Sequence, residues 1–294
     1  MPITASEVKA LRERTGAGMM ECKRALTETN GNLDEAIALL RKKGAASAEK
    51  KSGRIAAEGV VEFGINPESS LAVLVELNCE TDFVAKDDSF KSFAREIVDA
   101  LMSSRPMSVQ DAGELELSGG QTVEAARQEL IAKIGENISL RRFELIEGEA
   151  GTLAGYVHGS RIGAVVQLNV ASAQQVGRDI AMHIAASRPL CVDESAMPAD
   201  ILEKERDIYS AQAAESGKPA DIVEKMVSGR ISKFLKENTL VGQPFVKNPD
   251  QTVGELLSAH DAAVLTMHRF EVGEGLEKRS DDFVAEVMAQ AQGG

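Results

Sequence analysis

The chain has 294 residues, 43% of them apolar, and a formal net charge of −13. This length and composition indicate a globular protein with enough apolar side chains for more than one hydrophobic core. The negative charge disfavours an extended phosphate-binding surface, because proteins bind nucleic acid largely by neutralising phosphates with Lys and Arg.

The sequence shows no pattern typical of a targeting segment, a membrane-spanning helix or a disulfide framework. The N-terminal residues lack a basic region followed by an apolar one, and no apolar run reaches the roughly 20 residues that cross a bilayer. We therefore expect a cytoplasmic protein. The chain has three cysteines, Cys22, Cys79 and Cys191. Their odd number and the lack of a C-x-x-C pair indicate reduced thiols rather than a disulfide framework or a zinc site.

The first residues predict a small helical module. Thr4 and Glu7 fit a capping box that opens one helix, a glycine turn leads to a second, and Asn32 caps a third. Residues 1–44 are therefore predicted to form a three-helix module. Residues 45–58 are small and charged without a sustained apolar face, so they predict a linker or a fraying helix that leaves the module mobile.

Met19 and Met20 follow a two-glycine turn in this module. One of them can enter the bundle core while the other stays partly exposed. Core packing and a binding surface are both open interpretations, because the flexible thioether suits either setting. We expect at least one of the two to contact a partner.

One short stretch has no counterpart elsewhere in the chain. Residues 71–77 predict a buried strand, a helix begins near Ser89, and the stretch between them predicts a loop. Phe83 lies in this loop beside Asp82 and other charged residues, where a plain connector would carry small polar ones. Phe83 either folds back into its own core or is offered to a partner as an apolar wedge.

An internal repeat organises the remainder of the chain. A predicted β-hairpin at residues 59–78 has a counterpart at 155–169, and each is followed by a helix and later by a related strand. The matching segments are residues 104–106 with 187–189, 133–136 with 252–255, and 142–148 with 269–275. The repeat predicts two α+β subdomains, residues 59–149 and 150–280.

Each copy of the repeat carries an insertion. The first copy has 8 extra residues before the end of its helix, most simply placed at residues 80–87. The second has 44 extra residues, which fit an antiparallel helical hairpin at about 198–238. We expect its apolar faces to pair as a coiled coil or to form a dimer with another chain. A final helix is predicted within residues 281–294.

Motifs for catalysis are missing from the sequence. It contains no phosphate-binding glycine loop, no zinc-protease motif and no serine nucleophile elbow. Cys79, Asp82 and His158 could be imagined as a thiol nucleophile with its base, but no local pattern supports this enzyme hypothesis. We interpret His183 as a packed helix histidine. The residues alone favour a binding protein.

Several motifs resemble the bacterial translation elongation factor Ts family. They are residues 11–20 (LRERTGAGMM), 81–86 (TDFVAK), 133–137 (KIGEN), 158–163 (HGSRIG) and 181–186 (AMHIAA). The resemblance implies that the first module is a ubiquitin-associated-like bundle. It also implies a guanine-nucleotide exchange factor for elongation factor Tu, without catalytic chemistry, cofactor or metal of its own. Direct contact with nucleic acid or with a membrane is not implied.

The resemblance also implies which residues would contact the partner. Asp82 and Phe83 would insert between two helices of its GTPase domain and dislodge Mg²⁺, while Thr81 and Val84 shape the inserted segment. The other implied contacts are Met19, Met20, Ile134, Gly135 and His158.

Overall fold

A computed structural model of the protein describes residues 3–68, 70–148, 151–215 and 218–276. Over these ranges the protein combines helices with small antiparallel sheets, so the α+β prediction is confirmed. No helix within them is long and apolar enough to cross a lipid bilayer. The helix predicted for residues 281–294 lies outside the described residues.

Helices form at each place where the N-terminal caps predict one. They are α1 (Ala5–Thr15), α2 (Met19–Glu28) and α3 (Leu33–Lys51). At the start of α1 the Glu7 carboxylate accepts the Thr4 N–H at 2.7 Å, which completes the capping box. The apolar faces of the helices meet in a small core of Val8, Leu11, Cys22, Ala25, Leu26 and Ala36.

The first α+β unit is built on an antiparallel sheet. In chain order its elements are β1 (Glu58–Ile65), β2 (Leu71–Cys79), α4 (Asp82–Lys86), α5 (Asp88–Ser104), α6 (Val109–Gly113), α7 (Val123–Ile134) and β3 (Ile138–Glu147). Central strand β2 pairs with β1 on one side and with β3 on the other. It is buried along its whole length. Helices α5 and α7 cover one face of the sheet and form the largest core with it.

The third helix of the N-terminal module is longer than predicted. Because α3 continues to Lys51, half of the 45–58 stretch assigned to a linker is helical. Ala48 is buried in the core of the first sheet, and Gly44 lies against α7. Of the two alternatives, linker or fraying helix, residues 45–51 form a helix, and it is packed rather than fraying. The sequence did not show this packing because small side chains allow close helix contact without producing a strong apolar stripe.

The second α+β unit repeats this plan with an insertion. In chain order its elements are β4 (Thr152–His158), β5 (Ile162–Leu168), α8 (Gln174–Ser187), α9 (Ala199–Ala214), α10 (Ala220–Asn238), β6 (Pro244–Phe245), β7 (Asn248–Thr252), α11 (Val253–Ser258) and β8 (Val264–Glu271). Strand β5 lies between β4 and β8, as β2 lies between its neighbours. Helices α9 and α10 pack against each other at the position of the predicted hairpin.

The two sheets pack face to face, with the main helices on the outside. Their shared core contains Val61, Ala72, Leu74 and Ile146 from the first sheet and Leu153, Val165, Phe270 and Val272 from the second. The approach is close enough to require glycine: a Cβ on Gly163 would lie 2.4 Å from Cγ1 of Val61. The N–H of Val61 also donates to the Ser160 carbonyl at 2.8 Å. The two halves therefore form one continuous body.

Backbone geometry supports most of the repeat and corrects one match. Arg105 and Arg188 end α5 and α8 with left-handed φ values of 48° and 49°, as expected for equivalent positions. The match of residues 133–136 with 252–255 is wrong, because the first segment ends α7 whereas Thr252 caps the start of α11. The structural counterpart of Thr252 is Thr122, the N-cap of α7.

A buried carboxylate joins the two sheets. Glu76 on β2 is fully buried and accepts from Nη1 of Arg141 at 2.9 Å and from Nε of Arg142 at 2.6 Å. It also accepts from the N–H of Gly273 at 2.8 Å, just after the end of β8. Arg142 in turn stacks on Phe270 of β8, with its guanidinium carbon 4.1 Å from the ring centroid. We call this set the Glu76 network.

Candidate functional site

The predicted loop after β2 is a helical turn. Thr81 is the N-cap of the five-residue helix α4, and its hydroxyl accepts from the Val84 N–H at 3.4 Å. Asp87 ends α4 and also caps α5, where its carboxylate accepts the Ser89 N–H at 2.8 Å. The loop prediction is wrong because these caps stabilise one turn of helix in a segment too short to show an apolar period. Residues 80–87 are called the Phe83 turn below.

The extra residues of the first copy are only partly in this turn. Nine residues separate Asn78 from α5, whereas four separate Asn169 from α8. The other difference lies in the helices, since α5 has 17 residues and α8 has 14. The insertion therefore both creates the Phe83 turn and lengthens the helix that follows it.

Phe83 lies on the outside of the turn with 80% of its surface exposed. Val84 and Ala85 are buried in the first core. Because successive helix residues are rotated by about 100°, burying Val84 and Ala85 directs Phe83 away from the core. The interpretation that Phe83 folds back into its own core is wrong. A large apolar side chain is instead presented to solvent on an ordered turn.

Asp82, beside Phe83, carries a negative charge. Its carboxylate Oδ2 lies 2.6 Å from Nζ of Lys86, one helical turn further on. The hydrogen bond from Lys86 lowers the pKa of Asp82 below its ordinary value, so this carboxyl is ionised at neutral pH. Such an exposed pair contributes little to stability, because solvent screens its attraction. The lysine therefore leaves Asp82 available to a partner.

The Phe83 turn is held by a carboxylate from a distant part of the chain. Oε2 of Glu136 accepts from the N–H of Glu80 at 3.1 Å and from the N–H of Thr81 at 3.0 Å. Its Oε1 accepts from the Thr81 hydroxyl at 2.7 Å. Glu136 belongs to the KIGEN segment at residues 133–137, but nothing local in the sequence predicts this role. The nearest signal is a carboxylate placed directly after a helix-ending glycine.

Glu80 accepts a hydrogen bond from the loop after α7, in the opposite direction to those that Glu136 accepts. Oε1 of Glu80 accepts from the N–H of Asn137 at 2.7 Å, and the Asn137 side chain donates to the Arg54 carbonyl at 2.9 Å. Arg54 also forms an ion pair with Glu80 at 3.4 Å. Three segments thus meet at the base of the Phe83 turn: the stretch after α3, the end of β2 and the loop after α7.

Ile134 and Gly135 lie directly before this junction. Gly135 ends α7 with a left-handed φ of 92° and is exposed, while Ile134 is half-buried against the first core. Since the next residue, Glu136, binds Thr81, the structure brings these two predicted contact residues next to the Phe83 turn.

His158 is exposed at the end of β4, and its Nδ1 lies 3.1 Å from the Tyr156 hydroxyl. The turn that follows is fixed to the first sheet, because Arg161 forms an ion pair with Glu58. Glu58 is paired with Cys79, the last residue of β2. His158 therefore lies near the end of the first sheet from which the Phe83 turn projects.

Met19 and Met20 are both exposed, by 59% and 66%. The interpretation in which one of them packs in the bundle core is wrong, because they occupy the first turn of α2 and the core is filled by later residues such as Cys22 and Ala25. The exposed pair forms an apolar surface on the N-terminal module.

The thiol of Cys79 is in a setting opposite to that of a nucleophile. It is fully buried and donates to the Thr81 carbonyl at 3.2 Å. Burial first, and the negative charge of Glu136 second, raise its pKa to about 12. A catalytic thiol needs a lowered pKa and access to substrate. His183, also buried, contacts Oε1 of Gln243 at 2.9 Å, so its interpretation as a packed helix histidine is confirmed.

Comparison with known proteins gives a consistent picture. The family model for elongation factor TS matches residues 80–274. The protein named elongation factor Ts from Thioalkalivibrio sulfidiphilus is 58% identical over 294 residues, covering 100% of both chains. The one from Methylococcus capsulatus is 56% identical over 292 residues, or 99% of each chain. The one from Legionella pneumophila (strain Paris) is 51% identical over 290 residues, again 99% of each.

Proposed function

The chain belongs to the elongation factor Ts family, and from this premise we propose that it is the guanine-nucleotide exchange factor of elongation factor Tu. It acts in the cytoplasm during translation elongation and has no catalytic chemistry of its own. The observation that carries the proposal is Phe83, exposed beside the ionised Asp82 on a turn anchored at its base.

The mechanism follows from the chemistry of the partner's nucleotide site. Mg²⁺ balances the phosphate charge of bound GDP, so loosening its coordination weakens GDP binding. Phe83 and Asp82 insert between two helices of the GTPase domain and disturb that coordination, with Thr81 and Val84 fixing the turn. Ile134 and Gly135 contact the partner beside this point.

The other modules bind elongation factor Tu but do not displace its Mg²⁺. Met19 and Met20 of the N-terminal module (residues 1–44) bind the same GTPase domain at a second place. His158 of the second subdomain (residues 150–280) contacts another domain of elongation factor Tu. Contacts spread over several modules allow one factor to hold its partner while the turn acts on the metal site.

Exchange is then a linkage effect that can be measured by binding alone. A factor that promotes GDP release must bind nucleotide-free elongation factor Tu more tightly than the GDP-bound form, and GDP must weaken the factor's binding by the same ratio. Titration calorimetry with both forms of elongation factor Tu tests this. Equal affinity for the two forms would refute the proposed function.

Cys79→Ser provides a test against the thiol alternative. Because the thiol is buried and its pKa is raised, we expect the serine variant to promote GDP release at the wild-type rate. The measurement is release of a fluorescent GDP analogue from elongation factor Tu. Abolished exchange in a folded Cys79→Ser variant would restore a role for the thiol.

The helical hairpin has a separate proposed role in dimerisation. Ala213 and Ile231 are buried, but Ile208 and Ile222 are about 40% exposed and leave an apolar surface. Replacing residues 199–237 by a short Gly-Ser linker keeps Asn238, whose carbonyl accepts the Leu190 N–H. We expect this variant to exchange nucleotide normally and to be a monomer by light scattering, where the wild type is a dimer. A variant that stays a dimer, or a wild type that is already a monomer, would argue against the proposed role.

A further inference from the structure

The Phe83 turn is too short to be a stable helix without contacts to the remainder of the protein. Helix α4 has five residues, and a single helical turn fixes many backbone angles for very few hydrogen bonds. The hydrogen bonds at its N-terminal end are long: the Ala85 N–H donates to the Thr81 carbonyl at 3.3 Å, and the Val84 N–H donates to the Thr81 hydroxyl at 3.4 Å. At its C-terminal end the Asp87 N–H donates to the Val84 carbonyl at 3.0 Å. The direction of Phe83 therefore depends on what the rest of the protein attaches to the turn.

Two kinds of attachment are present. Val84 and Ala85 are buried, which fixes the C-terminal half of the turn by packing. The N-terminal half is fixed by Glu136, which takes up the N–H groups of Glu80 and Thr81 and the Thr81 hydroxyl. Charged acceptors form stronger hydrogen bonds than neutral ones, so this carboxylate is a strong constraint on the capping residue.

We propose that Glu136 is the positioning residue of the exchange mechanism: it holds the Thr81 cap so that Phe83 is presented in one direction. The inference rests on the proposed function and deepens it by adding a residue that does not itself touch the partner's metal site. Glu136 directly follows Gly135, so its hydrogen bonds join the exposed end of α7 to the Phe83 turn.

The reciprocal contact strengthens this assignment. Glu80 accepts from the Asn137 N–H, so the loop after α7 and the end of β2 bind each other in both directions. Asn137 also donates to the Arg54 carbonyl, in the stretch that leads out of α3. The Glu136 junction, formed by Glu136, Asn137, Glu80, Thr81 and Arg54, thereby connects the N-terminal module to the turn.

The Glu136→Ala variant distinguishes a loss of positioning from a loss of affinity for the partner. We expect the maximal rate of GDP release at saturating factor to fall about tenfold, because misplacing an acting group by about 1 Å is enough for such losses. The factor concentration that gives half the maximal rate should change little, since Met19, Met20 and His158 remain in place. Hydrogen exchange of the amides in residues 80–87 should become faster.

Two further variants complete the test. Glu136→Gln keeps an acceptor oxygen without the charge, so its maximal rate should lie between the wild type and Glu136→Ala, and it serves if the alanine variant does not fold. Glu255→Ala is the matched control: Glu255 likewise accepts the N–H of a threonine N-cap, Thr252, but at α11. It should release GDP at the wild-type rate.

The outcomes are distinguishable from failure of the proposed function. If wild-type protein does not accelerate GDP release, the exchange function fails, while hydrogen exchange still reports whether Glu136 orders the turn. If wild type is active and Glu136→Ala matches it in both readouts, the positioning role is overturned. The positioning role is also overturned if Glu136→Ala changes only the factor concentration that gives half the maximal rate. It is overturned as well if Glu255→Ala lowers the maximal rate of GDP release by as much as Glu136→Ala does.

Discussion

Phe83→Ala is expected to slow factor-promoted release of a fluorescent GDP analogue from elongation factor Tu by at least tenfold. Burying a Phe side chain contributes roughly 1.5–3 kcal/mol, and about 1.4 kcal/mol corresponds to a factor of ten. Because Phe83 is exposed in the free protein, its removal leaves no cavity and should change the stability of the fold by less than about 0.5 kcal/mol. The variant isolates what the ring does in the complex.

Met107→Ala is the matched control for this variant. Met107 is a large apolar side chain of the same half, 94% exposed, and lies outside the proposed contacts. Its loss should leave GDP release unchanged. If Phe83→Ala released GDP at the wild-type rate, the ring would not act as a wedge. If Met107→Ala were equally slow, the effect would report general surface hydrophobicity rather than the turn.

Glu76→Ala is expected to lower the free energy of unfolding by about 3 kcal/mol, the lower end of the range for breaking a buried ion pair. The change leaves Arg141, Arg142 and the Gly273 N–H without their common acceptor. The lower end applies because both guanidinium groups are partly exposed and regain some solvation. Urea denaturation followed by circular dichroism measures the loss.

Glu62→Gln provides the comparison for Glu76→Gln. Burial raises the pKa of Glu62, which means that the fold disfavours its charged form, so a neutral amide there should be neutral or slightly stabilising. Glu76→Gln should be destabilising, because it removes the charge that both arginines bind. Equal unfolding midpoints for the two glutamine variants would show that the Glu76 network does not hold the sheets together.

The features predictable from sequence are those written in local patterns. The capping residues Thr4 and Asn32 marked the start of helices, and the Ser-Arg-Pro segments marked equivalent helix ends, because caps and turns depend on residues close together in the chain. From the sequence, exposure of Phe83 and burial in its own core are both possible, and no local pattern decides between them. The direction of Phe83 depends on the burial of Val84 and Ala85 by other elements.

The features that sequence missed depend on distant or unremarkable residues. Glu136 meets Thr81 from 55 positions away, and no spacing rule connects them. The packing of the end of α3 against the first α+β unit was missed because Gly44 and Ala48 pack through small size rather than through a periodic apolar face. Likeness in residue type alone matched the end of α7 with the start of α11, where only backbone geometry shows the difference.

Release of a fluorescent GDP analogue from elongation factor Tu, followed by stopped flow with and without Mg²⁺, tests the central claim most directly. With Mg²⁺ present, the release rate should rise with the concentration of wild-type protein and level off well above spontaneous release. In a chelator, spontaneous release should already be fast and the acceleration by the protein should shrink, because the metal that it displaces is gone. A release rate that does not respond to the protein, or an equal acceleration with and without Mg²⁺, would contradict the account.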